Sequence, residues 1–185
     1  MKIYYWSPFT SHVATIKAVI NSAYSLKKYF YHDTYIINSF GEWNSFKNEI
    51  KNKDLKILEN ENITKNKIKF VSGYLISRIF YVKIFIISFF FLKKILKKNK
   101  PEYLIIHLIT SLPLILFFFY RFNTKLILRI SGQPKLTFFR KIIWKLSKKN
   151  IHFVTVPTKE TLKKIKKLKI FFQKKIYYLP DPVFL

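Results

Sequence analysis

Residues 103–116 read Tyr-Leu-Ile-Ile-His-Leu-Ile-Thr-Ser-Leu-Pro-Leu-Ile-Leu, and two changes of character inside that stretch set the fold. Tyr103 to His107 is a short apolar run, the composition of a strand buried on both faces. Ser111-Leu112-Pro113 then offers a helix N-cap with proline in the first turn, and Leu114 to Phe122 continues as an apolar helix. The same alternation repeats downstream. Lys125 to Ile130 reads as a strand closed by Ser131-Gly132-Gln133-Pro134, and Phe138 to Lys148 as a helix with Phe138, Ile142 and Leu146 on one face. His152 to Val156 is a strand. Thr158 caps a helix from Lys159 to about Leu168, with Glu160 in its first turn, where a carboxylate suits the helix dipole. Lys175 to Leu179 is a last strand before Pro180-Asp181-Pro182.

Upstream, Ile3 to Trp6 is a short aromatic strand stopped by Ser7-Pro8. From Val13 the apolar period becomes helical through Ile16, Ile20 and Ala23. Thr34 to Phe40 is a second strand that Gly41 ends. Residues 41–70 are polar, with a weak helix near Trp43–Ile50 and a short strand at Lys56–Leu58. Tyr74 to Lys98 contains no helix breaker and predicts a long basic helix. Strand and helix alternating in this way predict a single α/β domain, a doubly wound parallel sheet with helices on both faces. Tyr103–His107, Lys125–Ile130 and His152–Val156 are expected as neighbouring strands.

The chain has 185 residues, half of them hydrophobic, enough for one sizeable core. It carries 35 Lys+Arg against 9 Asp+Glu, a net charge of +26, and only Arg78, Arg121, Arg129 and Arg140 are arginines. Lys, Ile, Asn, Phe and Tyr are inflated together while Gly numbers three, the joint bias of AT-rich coding. A surface this cationic attracts nucleic acid, anionic lipid or phosphorylated substrates. The absence of Cys removes disulfides, thiolate nucleophiles and cysteine zinc sites. Gly41, Gly73 and Gly132 are too far apart for a dinucleotide turn or a P-loop. His12, His32, His107 and His152 show no ligand spacing and the three Asp form no D-x-D, so no metal site is expected. Ser131 lies in S-G-Q rather than the nucleophile turn G-x-S-x-G. The short apolar N-terminus is not a signal-peptide core, which makes a cytoplasmic start the default. The uncharged run 103–120 is interrupted by His107, Thr110, Ser111 and Pro113 and is not expected to span a membrane.

In sheets of this kind ligands sit outside the carboxyl ends of strands. Those ends hold Ser7, Thr10, Ser11 and His12; His107 and Thr110; Ser131, Gly132 and Gln133; and Thr158 and Glu160. The hydroxyls of 7–12 precede a helix, where they suit a phosphate or sugar, or simply cap it. Gly132 is expected to supply a positive φ. Arg129, inside an apolar strand, needs a carboxylate such as Glu160 or an anionic ligand. The 74–98 helix mixes aromatics with Lys93, Lys94, Lys97 and Lys98, the composition of a helix lying on anionic lipid or of a buried helix with a solvated basic end.

The segments 102–116, 126–145 (LILRISGQPKLTFFRKIIWK) and 154–161 (VTVPTKET) together resemble the N-terminal domain of GT-B glycosyltransferases, closest to the retaining family 4 type of lipopolysaccharide and capsule assembly. The closing Tyr-Leu-Pro-Asp-Pro-Val at 178–183 resembles the handover to that family's second domain. The resemblance thus implies a Rossmann-like domain over 1–179 and the start of an interdomain linker at 180–185. It implies an acceptor-binding role, with His107 facing the transferred sugar and Ser7, Thr10, Ser11, His12, Thr110, Ser131, Gly132, Gln133, Thr158 and Glu160 as acceptor or sugar contacts. The nucleotide sugar is then a co-substrate, not a cofactor, gripped by a separate donor-binding domain that this sequence does not contain. The implied partners are a lipid-linked or saccharide acceptor and an anionic membrane surface at the cytoplasmic face, contacted through Lys93, Lys94, Lys97 and Lys98. Ser7 to Ala14 lacks the Gly-Gly pair usual in the family's first loop. The competing reading is a non-catalytic binding module or truncated remnant. Nucleic acid is not expected, because the lysines are scattered and no recognition motif is present.

Overall fold

The computed structural model describes residues 1–9, 14–61, 74–132, 134 and 136–184. Seven strands form one parallel sheet in the order β3-β2-β1-β4-β5-β6-β7. They are β1 (Lys2–Trp6), β2 (Asp33–Asn38), β3 (Lys56–Glu59), β4 (Tyr103–Ile106), β5 (Lys125–Arg129), β6 (Ile151–Val156) and β7 (Ile176–Tyr178). The helices are α1 (Thr15–Phe30), α2 (Lys47–Asn52), α3 (Tyr74–Asn99), α4 (Ser111–Phe119), α5 (Phe138–Ser147) and α6 (Lys159–Lys167). The expected trio β4, β5 and β6 are parallel neighbours. Thr110, not Ser111, stands at the N-cap of α4, and its side chain makes no capping bond.

Alternation along the strands separates two cores. Tyr4, Trp6, Leu104, Ile106, Leu126, Leu128, Val154 and Val156 point to one face, where Leu92, Leu96, Leu112, Leu116, Trp144 and Ile165 from α3 to α6 cover them. Ile3, Tyr5 and Ile36 point to the other, beneath Ile16, Val19, Ile20 and Ala23 of α1 and Ile50 of α2. The expectation that β4 is buried on both faces needs correction. Tyr103 and Ile105, with Ile127 of β5 and Phe153 of β6, are only half-buried, because among the described residues no helix lies over that half of the second face. An apolar trough of about 730 Å³ takes its place, walled by α1 and by residues 179–182.

Three glycines leave the helix C-termini to other residues. Tyr31 adopts φ 54° at the end of α1, donating to Lys27 O at 3.1 Å while His32 N–H reaches Leu26 O at 3.2 Å. The helix is thus closed by two backbone bonds around a left-handed tyrosine, a position where glycine is usual. Lys100 and Lys169 take the same left-handed conformation after α3 and α6. Gly41, at φ +92°, is the described glycine that uses its freedom. Gly132 does not have the positive φ expected of it, and a Cβ there would meet open space.

Candidate functional site

The strand order reverses between β1 and β4, so the connections leave in opposite directions and open a crevice at their carboxyl ends. Register decides what stands there. Trp6 pairs with Ile106, and Ile106 with Leu128. Ser7, His107 and Arg129 therefore share one edge of the sheet. His107 leaves β4 with its backbone N–H on Trp6 O at 2.9 Å. Its ring lies on the second face, 6.1 Å from the Tyr5 ring.

His107 is buried, and burial together with the neighbouring Arg129 charge pushes its pKa down to about 3. The imidazole is thus neutral at physiological pH and presents one donor and one acceptor. Its Nδ1 stands 3.5 Å from Ser131 Oγ, the outer limit of a hydrogen bond. Tyr5 is fully buried, its hydroxyl 2.8 Å from Ser22 Oγ, and burial raises its pKa.

Around His107 lies a cleft of about 290 Å³ lined by Thr15, Thr110, Ser131, Gly132, Arg140 and Trp144, among others. Thr15 at the start of α1, Thr110 at the N-cap of α4 and Arg140 in the first turn of α5 all line it. Helix starts carry a partial positive charge that favours anionic groups, although at α5 the Thr137 hydroxyl already accepts from Arg140 N–H. Among its described lining residues there is no carboxylate. The Trp144 indole N–H, buried in the wall, has no acceptor among the described residues. Ile109 closes the rim at φ 46°, an unusual conformation for a β-branched residue. His107 and Arg129 line both the cleft and the apolar trough, so the two spaces meet at this pair.

Arg129 finds a carboxylate, though not Glu160. Its Nη2 donates to Asp181 Oδ1 at 2.5 Å and its Nη1 to Leu179 O at 2.6 Å. Residues 179–184 thereby fold back across the trough. Asn21 Nδ2 holds Pro182 O at 3.2 Å, and Phe184 packs on Tyr24 with ring centroids 5.1 Å apart.

No protein-family model matches the chain, and no curated protein matches its sequence. Solved structures do match its shape. A glycosyltransferase from Rickettsia africae aligns over 97% of this chain and 42% of its own, at 14% identity and a TM-score of 0.63. The lipopolysaccharide outer core galactosyltransferase WaaB, in its apo form, aligns over 99% of this chain and 46% of its own, at 12% identity and a TM-score of 0.57. The fold is that of one half of a GT-B glycosyltransferase. A UDP-GlcNAc 2-epimerase from Neisseria meningitidis, bound to UDP-GlcNAc, also aligns, over 98% of this chain and 47% of its own, at 12% identity and a TM-score of 0.62. The chain spans less than half the length of each of these three proteins.

Within this fold the residues singled out in the sequence divide. His107, Thr110, Ser131 and Gly132 come together in the cleft. Ser7 is buried beside it at the end of β1, its hydroxyl without a partner among the described residues. Thr10, Ser11, His12 and Gln133 lie outside the described residues. Thr158 and Glu160 do not line the cleft. Thr158 Oγ1 caps α6 by accepting from Thr161 N–H at 3.0 Å, and Glu160 pairs with Lys164 at 2.7 Å. Lys93 and Lys97 of α3 lie against the Tyr120 ring, at 3.9 and 5.7 Å from its centroid. Lys94 and Lys98 border a hollow with Glu59 and Glu61. Between the two pairs Ile95 and Leu96 are buried in the core. Sequence reading missed Thr15, Arg140 and Trp144. The available signal was position: Thr15 and Arg140 sit in the first turns of helices that follow strands.

Proposed function

We propose that this chain is the acceptor-binding half of a nucleotide-sugar-dependent glycosyltransferase of the retaining family 4 type. Its acceptor is a lipid-linked or saccharide molecule in lipopolysaccharide or cell-surface polysaccharide assembly, met at the cytoplasmic face of an anionic membrane. The donor nucleotide sugar is a co-substrate bound mainly by a separate donor-binding domain. One observation carries the reading. A buried, neutral His107 stands at the reversal point of the sheet, in a cleft lined also by Thr15, Thr110 and Arg140 from the starts of three helices. The neutral ring suits hydrogen bonding to a sugar hydroxyl. The pKa that makes it neutral makes it a weak base, so its role is to hold and orient rather than to remove a proton. The helix N-termini suit the phosphate of a lipid-linked acceptor. Holding donor and acceptor in register contributes several kcal/mol, on the order of 7–11 at most, to lowering the barrier of a transfer reaction.

The test supplies a complementing donor domain and follows a radiolabelled sugar from a nucleotide donor to membrane lipid extract. His107→Ala is expected to lower the rate at least tenfold more than His152→Ala, whose ring opens β6 at the opposite edge of the sheet. Equal losses would remove His107 from the site. Acceptor binding with no transfer by the complemented pair would favour a non-catalytic binding module.

A further inference from the structure

Helix α5 turns one side to the protein and leaves the other uncovered. Trp144 and Ser147 are its buried residues, and Ile143 packs partly against the core. Phe138 is 75% exposed, Phe139 76%, Leu146 57% and Ile142 37%. At 3.6 residues per turn, Phe138, Ile142 and Leu146 form one outward strip with Phe139 beside it. Lys141, Lys145 and Lys148 form a second strip next to the first. From residue 103 to residue 159 the sequence holds ten Lys or Arg and no Asp or Glu. An apolar strip beside a cationic strip, with no carboxylate in the surrounding sequence, matches the boundary between acyl chains and anionic headgroups.

We propose that α5 is the membrane-contacting element of this protein, lying in the interface of an anionic bilayer with Phe138, Phe139, Ile142 and Leu146 in the acyl boundary. Charge selects this occupant over a second copy of the chain, since pairing two such faces brings lysine strip against lysine strip on molecules of net charge +26. It also differs from the contact expected at α3, where Ile86 and Phe90 are exposed but share their hollow with Lys94, Lys98 and the carboxylates Glu59 and Glu61. The helix that meets the membrane also supplies Arg140 and Trp144 to the His107 cleft. The surface extends the function proposed above, but its test involves no sugar.

The test is co-sedimentation of the full chain with phosphatidylglycerol and with phosphatidylcholine vesicles, each variant checked for folding by circular dichroism. Phe138→Ser with Phe139→Ser is expected to weaken binding to phosphatidylglycerol vesicles at least tenfold. Each neutralised lysine is expected to weaken it about fivefold at low salt, so Lys141, Lys145 and Lys148 to Gln together give about a hundredfold loss. Changing Lys94, Lys97 and Lys98 to Gln is expected to leave binding within about threefold. Loss of binding in that α3 variant with the α5 variants unchanged would overturn the proposal, as would equal binding of the chain to phosphatidylcholine. Absence of sugar transfer alongside intact, α5-dependent vesicle binding would count against the proposed function alone.

Discussion

Two buried groups at the carboxyl edge of the sheet pull the pH dependence of stability in opposite directions. His107 titrates near 6.5 when unfolded and near 3 when folded. Below pH 6.5 the unfolded chain takes up a proton that the folded chain refuses, so stability falls as pH falls. Glu42 is the reverse case. It is buried, accepting from Ser39 N–H at 3.1 Å and Phe40 N–H at 2.9 Å, yet burial outweighs those bonds and raises its pKa from 4.5 to about 7. Below pH 7 the folded chain takes up the proton first, so stability rises as pH falls. Between pH 7 and pH 5 each effect integrates to about 2 kcal/mol, at about 1.4 kcal/mol per pKa unit. Wild-type stability is therefore nearly flat over that window. His107→Gln is expected to become about 2 kcal/mol more stable at pH 5 than at pH 7, and Glu42→Gln about 2 kcal/mol less stable. Urea denaturation of the three proteins at both pH values reads this directly. A His107→Gln profile as flat as wild type would refute the buried, neutral imidazole and with it the assigned role.

Other variants test the frame that holds the site. Tyr31→Gly relieves a left-handed residue that is 90% exposed, and is expected to raise stability by about 1 kcal/mol, read as a higher melting temperature. Gly41→Ala forces a side chain onto φ +92° with Asn44 Nδ2 only 3.0 Å from the new Cβ, and should cost about 1–2 kcal/mol in a denaturant titration. Asp181→Ala strands the buried Arg129 guanidinium. Full burial of both partners would cost about 3–5 kcal/mol, and the one-third exposure of Asp181 lowers this to about 2. Arg129→Met, which removes the charge itself, should cost less, and proteolysis after residue 178 should speed up in both.

The order of strands and helices was legible because the apolar period switches between two and 3.6 at nearly every Gly, Pro or Ser cluster. The place of His107 at the carboxyl edge of the sheet was legible for the same reason: it closes an apolar strand just before a polar turn. The need of Arg129 for a partner followed from its strand, but the identity of that partner did not. Asp181 lies 52 residues further on and reaches Arg129 only because the C-terminal segment folds back. The trough escaped notice because Tyr103, Ile105, Ile127 and Phe153 read as apolar whether a helix covers them or not. The exposed side of α5 escaped for a related reason. Phe138, Ile142 and Leu146 read as the apolar face of an amphipathic helix, and that pattern does not say whether the face turns inward; the fold docks the helix through Trp144 and Ser147. The left-handed Tyr31, Lys100 and Ile109 carry no sequence signal, since glycine usually marks such positions and this chain has three.

The central claim is that the cleft around His107 receives a saccharide, and imidazole resonances test it most directly. A chain labelled with ¹⁵N-histidine would be titrated with lipid-linked oligosaccharide in detergent, His152 serving as the internal reference. The account predicts that the His107 ring signals shift on saturation while those of His152 stay in place, and that Ser131→Ala weakens the titration about tenfold or less, as loss of one hydrogen-bonding hydroxyl would. Saturable binding that leaves the His107 ring unmoved would contradict it.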